Sequence, residues 1–302
     1  MRKTLLSGFL FILLLPQLAV AQDRVTLGFG RFFSNDAIGD GDDRWRTGSY
    51  SVSMIRGQSW KGVAPTFGEL LEFRVRTEII APANLSNPSP TDRRYVGALS
   101  LGVHTYTTLA GAEARLGLDL VATGPQTGVG RLQRQLHKLF GMTPPGNLGA
   151  QISNKVYPTL SAELGRDLRL TGGSTLHPFI EAQAGVEDYV RVGGDLVIGR
   201  FGAGALMLRD PVTGHRYIGV RGAETPGVSF VLGGDVARVF DSAYLPTGGA
   251  VALKDTRSRL RAGLHWRGEK SEVFYGITRL SREYETQPSG QTVGSLRLRL
   301  RF

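Results

Sequence analysis

This chain of 302 residues has no cysteine, so disulfides play no part in holding it together. Beyond its first two dozen residues it has no apolar run of about 18, which excludes spanning helices from the rest of the chain. Histidine is scarce, with five residues. Acidic side chains are outnumbered, 26 against 36 Lys and Arg, leaving a net charge of +10. No low-complexity tract and no second domain is visible.

What is present begins with a leader. Met1-Arg2-Lys3 is a short basic region, Leu5 to Leu18 is almost wholly apolar, and Ala19-Val20-Ala21 has the form of a cleavage site. Residues 1–21 are therefore expected to be a secretory signal peptide, with one domain over 22–302. Nearly all the positive charge is arginine spread along the chain, which points to anionic partners. Export argues against nucleic acid and leaves phosphate-bearing lipid.

The end of the chain carries the clearest pattern. In SLRLRLRF, Leu296, Leu298, Leu300 and Phe302 fall on one face and Arg297, Arg299 and Arg301 on the other. Strict alternation is a β-strand with one apolar and one charged face. In an outer-membrane barrel the first meets lipid and the second the lumen. A terminal aromatic resembles the signature by which such barrels engage their assembly machinery, which makes Phe302 the expected contact. Similar segments recur near 24–33, 46–56, 67–80, 93–108, 111–122, 154–169, 175–187, 190–205, 227–240, 255–267, 270–284 and 291–302. The expected fold is all-β, a 12-stranded antiparallel transmembrane barrel. Long connections at 34–45, 81–92, 123–153 and 241–254 fall on one side, outside the cell if the N-terminus is periplasmic. The linker 206–226 falls on the other side and is long for it, with 213–220 a possible strand extension.

One segment breaks the pattern. GPQTGVGRLQRQLHKLFG, residues 124–141, reads as an amphipathic helix, its core at about 128–141. Val129, Leu132, Leu136, Leu139 and Phe140 form an apolar arc, and Gln133 and His137 lie one turn apart on its border. Pro125 and Gly141 suit its two ends. Alone it reads more readily as an interfacial helix with an incidental histidine. The loop after the first strand groups Asn35, Asp36, Asp40, Asp42 and Asp43, with Thr47 opening the next strand. Clustered carboxylates suit Ca²⁺ or simply a solvated acidic loop, and no EF-hand spacing is present. Asp92-Arg93-Arg94-Tyr95 leads into another strand.

Taken in order, these motifs resemble the lipid A 3′-O-deacylase family of outer-membrane barrels. Asn35-Asp36, Asp43-Arg44-Trp45-Arg46-Thr47-Gly48, Asp92-Arg93-Arg94-Tyr95 and Gly124-Pro125…Gln133…His137…Gly141 carry the likeness over residues 34–141. The resemblance implies a hydrolase acting on the 3′-linked acyl ester of lipid A (lipopolysaccharide), at the cell-surface side of the outer membrane among its lipids. His137 would be the general base, Asn35 would bind or orient, and Gln133 and Thr47 would position water or substrate. Ca²⁺ held near Asp36 would stabilise the oxyanion, and arginine-rich loops would hold the phosphates. The chain departs from the family pattern at Arg94, and the 81–92 loop offers no cation. The alternatives are a serine-dependent outer-membrane phospholipase and a non-catalytic barrel, a pore or adhesin.

Overall fold

The computed structural model describes residues 24–300 apart from 147 and 224. The expected signal peptide and Phe302 lie outside the described residues. Twelve long strands make the wall. They are β1 (Val25–Asn35), β2 (Trp45–Gly57), β3 (Leu71–Ala81), β4 (Val96–Leu109), β5 (Ala112–Thr123) and β6 (Lys155–Gly165). After a two-residue strand β7 (Leu168–Arg169) come β8 (Ser174–Ala184) and β9 (Glu187–Ile198). A pair of short strands, β10 (Leu206–Arg209) and β11 (Arg216–Val220), precedes β12 (Gly227–Ser242), β13 (Thr256–Arg267), β14 (Ser271–Leu280) and β15 (Gln291–Leu300). Neighbours pair antiparallel, β1 with β15 and β6 with β8, so the sheet closes into a 12-stranded barrel. Closure leaves no edge for another chain to extend. Among the described residues no helix is long and apolar enough to cross a membrane.

Alternation along each strand decides what faces where. On β5, Leu116, Leu118 and Leu120 are about half exposed while Arg115 and Val121, at the alternate positions on either side of them, are buried. On β15, Leu298 and Leu300 point out while Arg297 pairs inside with Glu272. This corrects the reading of arginine as a phosphate footprint. Much of it is turned into the lumen and neutralised there. Arg209 pairs with Asp195 and Glu163, each at 2.9 Å, and Arg261 with Asp195 at 2.6 Å and Asp235 at 2.5 Å. A wall that shows hydrocarbon to lipid must send its charges inward, and buried charges need partners.

The linker 206–226 holds the largest departure from expectation. It extends no wall strand. β10 and β11 form a hairpin of their own in the lumen, with Leu206, Leu208 and Tyr217 fully buried. The wall is thinned to receive it. A side chain at Gly30 of β1 would come within 2.8 Å of Leu208 and 2.9 Å of Tyr217, and one at Gly28 would strike the Gly219 carbonyl. Among the described residues, cavities inside the barrel include ones of about 60, 20 and 10 Å³.

The long loops expected on one side do share one end of the barrel, as strand parity requires. The connection between β4 and β5 at the other end is a two-residue turn, with Ala110 at φ 49° and Gly111 at φ 78°. Such paired positive φ values match the twist of a hairpin. His104, His177, His215 and His265 are all buried within the barrel.

Candidate active site: a lateral pocket at the rim

The helix of the largest loop, α1 (Val129–Leu139), begins later than the sequence suggests. Pro125 starts a separate 3₁₀ turn over Pro125–Thr127, and Gly128, at φ 71°, swings the chain into the helix. At the other end Gly141 adopts φ 67°, and the Met142 N–H donates to the His137 carbonyl at 2.8 Å. A left-handed glycine of this kind is a common helix terminator.

α1 lies on the outside of the barrel wall. Its N-terminus sits on Gly97, an outward position of β4 where a Cβ would come within 3.0 Å of Val129. The buried face is Val129, Gly130, Gln133 and His137, spaced one turn apart. The rest of the apolar arc is largely exposed, with Leu132 54% and Phe140 71% exposed. The histidine on the border of the arc is thus buried, while most of the arc stays exposed.

The first loop is seated in the same way. Asp36–Ile38 forms a 3₁₀ turn capped by Asn35, whose side chain accepts from the Ala37 N–H at 2.8 Å. The turn lies over Gly294 of β15, where any side chain would strike the Ile38 carbonyl, and Tyr275 donates to that carbonyl at 2.8 Å. Trp45, buried at a positive φ of 52°, then redirects the chain into β2 with a register break before Gly48.

Between these two seats is a cavity of about 370 Å³. All five residues expected to act line it: Asn35, Asp36, Thr47, Gln133 and His137. The rest of its wall is largely apolar, with Phe33, Tyr50 and Ile79 from the barrel and Leu132, Leu136, Phe140 and Met142 from the helix and its exit. Asp36 and Thr47 are almost fully buried, and Thr47 lies against the Asp43 carboxyl, whose pKa its hydroxyl helps to lower.

Two residues to which the sequence reading gave no role join the site. Asp43, in the acidic loop, meets His137 Nε2 at 3.3 Å and accepts from Gln133 Nε2 at 3.4 Å. Tyr95 donates to Gln133 Oε1 at 2.8 Å. His137 Nδ1 lies 2.7 Å from the Thr143 carbonyl. A carbonyl only accepts, so Nδ1 carries the hydrogen and Nε2 is the nitrogen available to take a proton. The motif Asp92-Arg93-Arg94-Tyr95 contained this signal. Arg93 turns inward to Glu283, and Tyr95 reaches the helix.

Burial pushes the Asp36 carboxyl up to about 8, with the nearby Asp43 adding to the rise and the N–H groups of Arg44 and Ala37 opposing it. Burial also raises Asp43, against the pull of His137. Among the described residues Asp36 has no cationic partner, whereas Arg44 pairs with Asp42 at 2.7 Å and with Asp40 at 3.6 Å. A buried carboxylate without a counter-charge suits a bound cation. Among the described residues no group of three or more His, Asp or Glu side chains converges on one point. Calcium would fit with Asp36 as side-chain ligand, completed by backbone carbonyls and water.

A closed barrel with an apolar outer belt and a pocket in its outer wall defines a class, the outer-membrane barrels that bear a site facing the membrane. The model of the family "Outer membrane protein LpxR" matches residues 5–302, and the chain belongs to that family. The chain is similar in fold to LpxR from Salmonella typhimurium, with a TM-score of 0.74 and 17% identity over 91% of this chain and 100% of that one. The β domain of the Bordetella autotransporter BrkA gives a TM-score of 0.41 at 12% identity over 91% and 99%. Comparison with curated proteins finds no match.

Proposed function

We propose that this outer-membrane protein hydrolyses the 3′-linked acyl ester of lipid A in a pocket at the cell-surface rim of the barrel. One observation carries the reading. Asn35, Asp36, Thr47, Gln133 and His137 come from three separate segments and meet in one apolar pocket on the lipid-facing wall. Lipid A would reach it from the membrane without leaving the bilayer, its acyl chain lying between Phe33 and Tyr50 of the wall and Leu132 and Leu136 of the helix.

The residues would act as follows. His137 Nε2 takes a proton from a water as that water adds to the ester carbonyl. The Thr143 carbonyl fixes the ring, and Gln133, itself held by Tyr95, positions the water. The Thr47 hydroxyl, beside Asp43, would donate to substrate or water. Asn35 and Asp36 bind at the carbonyl end of the pocket. Calcium held at Asp36 would supply Lewis-acid stabilisation of the oxyanion. Collapse of the tetrahedral adduct breaks the acyl C–O bond. The sugar 3′ oxygen leaves with the proton from His137, and the acyl group leaves as a carboxylic acid that ionises.

A serine mechanism has less support, because the described partners of His137 are the Thr143 carbonyl and Asp43 rather than a serine. The test is mass spectrometry of lipid A incubated with the purified barrel. Wild type should release the 3′-linked acyl group, excess chelator should stop it, and His137→Ala should slow it by about 10²–10⁴-fold while remaining folded. Unchanged release by folded His137→Ala would sink the assignment.

A further inference from the structure

Arg31 lies on the outer wall of the barrel in the middle of β1. It is exposed and points outward, between outward Phe29 and Phe33, which are 54% and 39% exposed. Its cross-strand partner on β2 is Val52, and Phe33 above it pairs with Leu296 of β15. Every immediate neighbour on that face is apolar. Among the described residues Arg31 has no ion pair and no hydrogen bond.

Elsewhere on the outer wall, cations are placed otherwise. Arg56 ends β2 and donates to the Arg24 carbonyl at 2.5 Å, Arg238 pairs with Asp255 at 2.6 Å, and Arg279 donates to Thr292 at 3.3 Å. Each stands near a strand end with a protein partner. An arginine in mid-wall against hydrocarbon is costly and marks a functional position when it persists. Its long stem lets the guanidinium rise along the wall. Phe33 is two positions and Asn35 four positions along the strand from Arg31, and both of these line the pocket. At roughly 3.3 Å per residue, the raised guanidinium comes to rest just beneath the pocket.

An anion that arrives at this depth must carry an acyl chain. We propose that Arg31 is a carboxylate-binding site on the membrane-facing wall, which receives the head group of the fatty acid leaving the pocket. The proposal rests on the hydrolase reading, since hydrolysis turns a neutral ester into a carboxylate directly above this position. A planar guanidinium meets a carboxylate through two parallel hydrogen bonds.

The experiment uses the whole barrel in nanodiscs of zwitterionic phospholipid. Retention of radiolabelled myristate is compared with that of myristyl alcohol and tetradecyl phosphate, and lipid A deacylation is followed in the same preparations. Arg31→Leu matches the surrounding wall and should fold, which heat-modified gel mobility checks. It should bind myristate at least tenfold more weakly than wild type, with Arg31→Lys in between and the alcohol unaffected. Equal myristate binding by Arg31→Leu overturns the proposal, and so does preference of wild type for the phosphate over myristate. Wild type that binds myristate through Arg31 but releases nothing from lipid A overturns the hydrolase reading instead.

Discussion

At the scale of residues, the site depends on a line of contacts from Tyr95 through Gln133 and Asp43 to His137. Tyr95→Phe removes the donor that holds Gln133 without opening a cavity. Its expected effect is a fall in kcat of about tenfold with KM little changed, consistent with the loss of one buried hydrogen bond. Equal loss in folded protein content, read by gel mobility, would assign the effect to stability instead. Gln133 and His137 were legible in the sequence because residues four apart on a helix share a face. Asp43 and Tyr95 were not, because they reach the helix from two other loops that close only in the folded barrel. Arginine was misleading for a related reason. Composition records the charge but not the carboxylate opposite it, and Arg209 or Arg261 becomes a lumen residue only when the wall closes.

At the scale of elements, two glycines seat the loops that frame the pocket. Gly97→Val places a branched side chain where Val129 and Thr127 now pack. It should lift α1 from the wall and abolish acyl release while the barrel assembles normally. Retained activity in that variant would mean that the helix is not held by this contact. The rim has its own anchor in Glu283, which pairs with Arg46 at 2.6 Å and with Arg93 and Arg257. Burial alone would raise this carboxyl, but Arg46, Arg257 and Arg93 together hold it well below the usual carboxylate range. A depressed pKa of this kind stabilises the fold above the ordinary glutamate pKa of about 4.3, and the contribution is lost only as pH falls through the lower, folded value. Glu283→Gln should therefore loosen the rim at neutral pH by about 3 kcal/mol, as for a broken buried pair, and by much less in strong acid. Protease sensitivity of the 281–290 loop against pH measures it. The wall strands themselves were legible from alternation. The lumen hairpin was not, because LMLR and RYIGV are short, buried on all sides, and show no period to read.

At the scale of the molecule, the barrel is a solid post rather than a tube. The hairpin and the paired charges fill much of the lumen, so the protein should produce no conductance steps in planar bilayers. Stable unitary currents from the purified wild type would contradict this filling. Under the proposed function, a filled lumen leaves the chemistry to the outer flank of the barrel.

That placement changes what concentration means for this site. A mouth that opens sideways into the membrane samples its ligand by lateral diffusion in a plane. What governs occupancy is the mole fraction of ligand among neighbouring lipids, a surface density rather than a molarity. Adding buffer leaves that quantity untouched, while adding inert lipid lowers it, so the crowding of the leaflet itself becomes a control on how often the pocket is filled.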